Sequence, residues 1–196
     1  MKKILLYFLI FTLSVLLAGC RGDVGSGVSI GSDGGGGVFF IFSADKNSLT
    51  AQELSQIDSM KNLARTNGYI VSDYQTYDKI GFKADKRLDN ITENDLTGLP
   101  DMILKDGSKF ITVKKSSPKD EYQLKAIADL TNTNNMINIA SGYNNPVNSC
   151  LRFNFKLNLP VKVKYTNAER IYNNGKTLEW YLDPCKKNLI EANFEM

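Results

Sequence analysis

Leu151-Arg152-Phe153-Asn154-Phe155-Lys156-Leu157-Asn158-Leu159 alternates apolar and polar side chains without a fault. Successive side chains of a strand point to opposite faces. A period of two therefore puts Leu151, Phe153, Phe155, Leu157 and Leu159 on a core face and the polar residues between them in water. One buried and one wetted face is the habit of an antiparallel sheet. Pro160 breaks the ladder, and Val161, Val163 and Tyr165 resume the alternation. Asn173-Asn174-Gly175 offers a tight hairpin turn, Leu178, Trp180 and Leu182 make the returning strand, and Leu189 to Phe194 a last one. Phe153, Phe155, Leu157, Leu178 and Trp180 are expected to face inward on neighbouring strands.

Working back from this stretch, Val38-Phe39-Phe40-Ile41-Phe42 reads as a buried strand. A helix of about residues 50–66 follows, with Thr50 and Glu53 as a capping box and Leu49 and Leu54 placed for a hydrophobic staple. Leu54, Ile57, Met60, Leu63 and Ala64 form one apolar stripe, and Asn67-Gly68 closes the helix. Its polar face mixes Gln52, Asp58, Lys61 and Arg65 instead of being basic, which favours packing on the sheet over lying on a membrane. Tyr69-Ile70-Val71 and Ile80-Gly81-Phe82 read as strands joined by a turn at Thr76 to Lys79. A short helical stretch is expected from Thr92 until Gly98 and Pro100 end it. Lys109 to Val113 is a strand, Tyr122 to Leu130 fits a strand or a helix, and Thr131 to Ser149, rich in Asn, reads as a long loop. The predicted fold class is α+β: mainly antiparallel sheet with one packed helix.

Met1-Lys2-Lys3 and the apolar run Ile4 to Leu17 have the layout of a secretory signal peptide, too short for a spanning helix. Leu17-Ala18-Gly19-Cys20 resembles the bacterial lipobox, which implies cleavage before Cys20 and acylation of its thiol and new amine with chains such as palmitate. The expected organisation is a signal peptide over 1–19, an acylated cysteine with a flexible Gly-rich tether over 20–37, and one extracytoplasmic domain over 38–196. Arg21 allows the outer membrane in a diderm host; in a monoderm host the protein would sit on the outer face of the cell membrane. The alternative readings of the Gly-rich stretch are weaker. No Gly-Lys-Ser/Thr follows Gly34-Gly35-Gly36-Gly37, so a P-loop is unsupported, and Arg21-Gly22-Asp23 would be shielded beside the anchor. Removing Lys2 and Lys3 from a net charge of +3 leaves +1, too little for a nucleic-acid binder or for strong attraction to anionic lipid.

The chain contains no histidine. Ser-His-Asp, Cys-His and H-E-x-x-H chemistry are thereby excluded, and no catalytic residue, metal site or cofactor is expected. Ser43-Ala44-Asp45-Lys46 and Ser116-Ser117-Pro118-Lys119 match S-x-x-K, but the S-D-N and K-T-G partners of that acyl-enzyme family are missing. With Cys20 acylated, Cys150 and Cys185 remain as an even pair in an exported chain, the pattern of a structural disulfide; the competing reading is two free thiols. Among the tyrosines that could line a cleft for a sugar or a lipid headgroup, Tyr165 and Tyr181 are the candidate ligand-binding residues, although most are explained as strand residues at the core boundary.

Three segments in order resemble the LppM-like family of bacterial envelope lipoproteins. They are Gly68-Tyr69-Ile70-Val71 leading to Ile80-Gly81-Phe82-Lys83; Leu159-Pro160-Val161-Lys162-Val163 with Thr166-Asn167-Ala168; and Asn174-Gly175-Lys176-Thr177-Leu178-Glu179-Trp180. The resemblance implies an α+β lipid-associated domain without catalytic residues, which in some members binds phosphatidylinositol-type glycolipids. Members often end in a transmembrane helix and this chain stops at Met196 without one, which makes the acyl chains on Cys20 the expected membrane attachment. The expected function is a lipid-anchored, non-catalytic binding module for a lipid or glycolipid. The alternative is a structural or assembly lipoprotein that contacts another envelope protein through a sheet edge or the Asn-rich loop.

Overall fold

Alternating strands need partners, and in the computed structural model of the chain they find them in two sheets. The structure describes residues 22–89, 111–114, 119–130, 151–183 and 186–196. In chain order the elements are β1 (Gly22–Ile30), β2 (Gly36–Asp45), α1 (Ala51–Thr66), β3 (Ile70–Gln75), β4 (Lys79–Leu88), β5 (Ile111–Lys114), β6 (Glu121–Asp129), β7 (Leu151–Asn158), β8 (Tyr165–Thr166), β9 (Arg170–Tyr172), β10 (Thr177–Leu182) and β11 (Lys187–Glu195). One sheet has seven strands in the order β3-β4-β2-β1-β7-β10-β9, and the other has four in the order β5-β6-β11-β8. All pairings are antiparallel except that of β1 with β7. The fold is α+β.

One face of the large sheet carries the core. Phe42, Phe82, Phe155, Leu157, Leu178 and Trp180 are buried there, together with Leu124, Ile190 and Phe194 from the small sheet and Ile57, Met60 and Ala64 from α1. All five inward residues expected on β7 and β10 are buried. The helix lies on the β3–β4 end and leaves Leu54 41% exposed, so that member of the expected stripe and staple faces outward. The helix ends as Asn67-Gly68 suggested. Gly68 has φ 81, its N–H donates to the Arg65 carbonyl at 3.0 Å, and the Tyr69 N–H donates to the Ala64 carbonyl at 3.1 Å. Those paired bonds satisfy carbonyls that the helix cannot.

Asn167 joins the two sheets. Its Oδ1 accepts from Trp180 Nε1 at 2.7 Å and from the Glu191 N–H at 2.9 Å, while its Nδ2 donates to the Leu189 carbonyl at 2.8 Å.

Two expectations are corrected and one open alternative is decided. The tether does not hold for residues 22–30, which form β1 in the middle of the large sheet, paired on both sides. Its inward positions are Val24, Ser26, Val28 and Ile30, a period-two pattern masked by the glycines between them. After Pro160 no strand resumes until the two residues of β8, and these belong to the other sheet, because the chain crosses from one layer to the next. Residues 121–129 are strand, which removes the helical reading. The Asn173-Asn174-Gly175 turn forms as expected, with φ of 51, 56 and 83, values that asparagine and glycine tolerate. The signal peptide, Cys20, the stretch from Thr92, the Asn-rich loop, Cys150 and Cys185 lie outside the described residues.

Candidate binding surface

The second face of the large sheet is not part of the core, and strand register says which side chains share it. Cross-strand partners point the same way. One row is Asp85–Phe39–Gly27–Lys156–Glu179–Arg170, and the next is Lys83–Ile41–Gly25–Asn154–Tyr181. The glycines on β1 make room for their neighbours. A Cβ on Gly27 would meet Phe39 Cζ at 2.3 Å and the Lys156 carbonyl oxygen at 2.4 Å, and one on Gly25 would meet Asn154 Oδ1 at 2.7 Å. Phe39 therefore occupies the space above Gly27, and Asn154 that above Gly25.

At the β7–β10–β9 end of this face stands a buried carboxylate. Glu179 is 5% exposed although it points away from the core. Its Oε1 accepts from Asn154 Nδ2 at 3.2 Å and is ion-paired with Lys156 Nζ at 3.3 Å, and its Oε2 accepts from the Tyr172 hydroxyl at 2.5 Å. A buried charge is tolerable when paired and hydrogen-bonded in this way. Arg170 extends the network. Its hydrogen bond with Tyr172, followed by the nearby Tyr181 and Tyr172 phenols, holds its proton more tightly than in an ordinary guanidinium. Its guanidinium also lies over the Tyr181 ring, 5.0 Å from the centroid. The Tyr181 phenol is pushed above its ordinary value, first by partial withdrawal from water and then by the charge of Glu179. A polar chain continues along the sheet: Asn173 Nδ2 donates to Thr177 Oγ1 (3.0 Å), Thr177 Oγ1 to Asn158 Oδ1 (3.1 Å), and Asn158 Nδ2 to Ser29 Oγ (3.0 Å).

The acceptor oxygens of Glu179 are engaged, and what the cluster offers outward is an exposed aromatic ring, the cations Arg170 and Lys156, and fixed hydrogen-bonding groups. Among the described residues, no group of three His, Cys, Asp or Glu side chains could hold a metal ion. The Ser43–Lys46 copy of S-x-x-K straddles the end of β2, with Ser43 buried and Lys46 exposed.

Of the two candidate tyrosines, Tyr181 belongs to this cluster and is 43% exposed. Tyr165 does not. It pairs with Asn193, between the buried Ala192 and Phe194 of β11, and so points outward from the small sheet, on the opposite side of the molecule. The two tyrosines do not line one cleft. Tyr172 is one of the tyrosines expected to be able to line a cleft, whereas Glu179, Lys156, Asn154 and Arg170 are not among the expected site residues; the signal that points to them is the alternation Arg170-Ile171-Tyr172 directly before the hairpin turn.

No protein-family model matches the chain, and no curated protein matches it. Among solved structures, the folded domain of the Mycobacterium tuberculosis LppM protein, determined by NMR, is similar in arrangement, with a TM-score of 0.46 and 16% identity over 88% of each chain. Among the described residues, no helix is long and apolar enough to cross a membrane.

Proposed function

We propose that this is a lipid-anchored envelope protein whose domain is a non-catalytic binding module for a lipid or glycolipid headgroup. The observation that carries the reading is the Glu179 cluster: a buried, fully engaged carboxylate that fixes Lys156 and Tyr172 beside Arg170 stacked on the exposed Tyr181. Cations suit a phosphate and an aromatic ring suits the apolar face of a sugar, so a phosphorylated glycolipid headgroup matches both. The Leu17-Ala18-Gly19-Cys20 layout and the three segments that resemble the LppM-like family support the same assignment. The test is native mass spectrometry of the protein extracted from its host membrane. A co-purifying lipid that is lost on Tyr181→Ala supports the reading, and bare protein crosslinked to a stoichiometric protein partner refutes it.

A second reading, a structural lipoprotein that contacts another envelope protein, is favoured by one feature. Ile70 is 78% exposed on β3, an edge strand of the described sheet, and edge strands invite strand addition.

A further inference from the structure

We infer that the end of the large sheet where β1 begins is a membrane-docking surface, seated on lipid headgroups with Tyr77 at its tip. This rests on the proposed acylation of Cys20, which precedes Gly22 by two residues, a chain reach of at most ~7 Å. Gly22 is not a slack lead-in. It is paired with Ala44 on one side and Leu151 on the other, so acyl chains on Cys20 hold the centre of a seven-stranded sheet rather than the end of a stalk.

Register identifies what else lies at that end. The row through Gly22 continues Ala44–Ile80–Gln75. Beyond that row lie Asp45 at the end of β2, Lys46 after it, and the turn that runs from Thr76 into Lys79, the first residue of β4. At ~4.8 Å per strand, β4 stands ~10 Å to the side of β1. The turn is held from several directions. Thr76 N–H donates to the Lys79 carbonyl (2.9 Å), Lys79 N–H to Thr76 Oγ1 (3.1 Å), Thr76 Oγ1 to Asp78 Oδ1 (2.9 Å), and Lys46 N–H to the Asp78 carbonyl (2.7 Å). Lys79 is also ion-paired with Asp23 of β1, which ties the turn to the anchored strand. This pinned turn presents Tyr77 fully exposed. Tyrosine has an apolar ring and a polar tip, and it concentrates at headgroup depth in membrane proteins. Leu54, in the first turn of α1, is exposed near the same end, since the helix starts after Asp45 and finishes where β3 begins.

Acidic and basic groups at this end are interleaved: Asp23, Asp45 and Asp78 against Lys46 and Lys79. Docking therefore depends on the acyl chains and the ring and needs no anionic lipid. The opposite end of β1 leads to the 31–35 turn, ~30 Å away along the strand direction.

The test uses full-length protein, processed in a bacterial host and reconstituted into vesicles of phosphatidylcholine brominated high on its chains. Tyr77→Trp and Ser32→Trp place a reporter at the two ends, both at surface positions, and the parent with the buried Trp180 alone sets the baseline. Bromine should remove most of the added emission from Tyr77→Trp and leave that from Ser32→Trp intact. Intact mass and flotation of the parent against Cys20→Ser report the anchor separately. A protein that is acylated and floats but shows equal quenching at both positions, or none at Tyr77→Trp, overturns the orientation while the anchor stands. An unmodified Cys20 with no flotation overturns both.

Discussion

Asn167→Ala should cost more stability than its exposed position suggests, because the side chain bonds two sheets at once. The substitution removes the acceptor for Trp180 Nε1 (2.7 Å) and for the Glu191 N–H (2.9 Å), and the donor to the Leu189 carbonyl (2.8 Å). The last two groups lie near the surface and can turn to water. Trp180 is 2% exposed, so its indole N–H is left without a partner. A buried donor left unsatisfied costs about 1–3 kcal/mol, and the two exposed bonds add little, so a loss of roughly 2–3 kcal/mol is expected. Urea unfolding followed by far-ultraviolet circular dichroism, a signal that the Trp180→Phe backgrounds also carry, measures it, and the midpoint should fall with the slope unchanged. A double-mutant cycle with Trp180→Phe isolates the bond: phenylalanine has no N–H to strand, so Asn167→Ala in that background should cost about 1–2 kcal/mol less than in the parent. An additive cycle, or an unchanged midpoint for Asn167→Ala, would refute the argument.

Gly27→Ala should destabilise by about 1–3 kcal/mol, since the new Cβ overlaps both the Phe39 ring and the Lys156 backbone carbonyl; a urea midpoint equal to that of the parent excludes this. The α1–β3 ion pair of Lys61 with Asp73 (2.7 Å) makes a pH prediction. Burial lowers the Lys61 pKa, but the hydrogen bonds and charges of Asp73 and Asp58 outweigh it and raise the value above 10.5. The Lys61 hydrogen bond and then its charge hold Asp73 below 3.8. The ammonium contribution is fully present below 10.5 and is lost as pH rises through the raised folded value; the carboxylate contribution is fully present above 3.8 and is lost as pH falls through the depressed one. The stability gap between parent and Lys61→Met should thus be flat between those limits and narrow outside them, and a gap that varies across neutral pH contradicts the pairing. Thiol alkylation of envelope protein should label Cys150 and Cys185 only after reduction, and a bridge there should stabilise by about 3–4 kcal/mol; labelling of both without reductant removes the disulfide.

What could be read in advance follows from how each element is solvated. β7 and β10 each have one dry and one wet face, so their alternation is visible in any window. β1 has the same inward pattern, Val24, Ser26, Val28 and Ile30, but its outward positions are Gly25 and Gly27, covered by Asn154 and Phe39 from neighbouring strands. A glycine-rich composition argues for flexibility only when nothing restrains the backbone; here ladders on both sides restrain it, one from β2 across the 31–35 turn and one from β7, more than a hundred residues further along the chain. Glu179 was hidden for the same reason. Between Leu178 and Trp180 it reads as an ordinary wetted residue, and its carboxylate is covered by side chains of the two neighbouring strands, Asn154 and Lys156 from β7 and Tyr172 from β9, which is three residues long and exposed. Tyr165 was misplaced because Pro160 sends the chain to the second sheet, a change of layer that alternation alone does not report.

The proposed ligand surface and the inferred membrane end are not independent. The rows holding Tyr181 and Glu179 cross β1 at Gly25 and Gly27. At ~3.3 Å per residue from Gly22, they stand ~10 Å and ~17 Å from the docking end. A single phosphate at the bilayer surface falls short of that height, whereas a headgroup carrying several sugars spans it. The pairing therefore selects glycolipids over simple phospholipids and expects capture from the same leaflet that holds the anchor. Vesicles doped with a phosphorylated glycolipid should retain it on the anchored protein, and Arg170→Ala or Tyr181→Ala should weaken retention without changing flotation. Because one headgroup spans both rows, the glycan released from the lipid should compete. If only glycolipid presented on separate vesicles is bound, the surface faces away from its own membrane and the shared geometry is wrong.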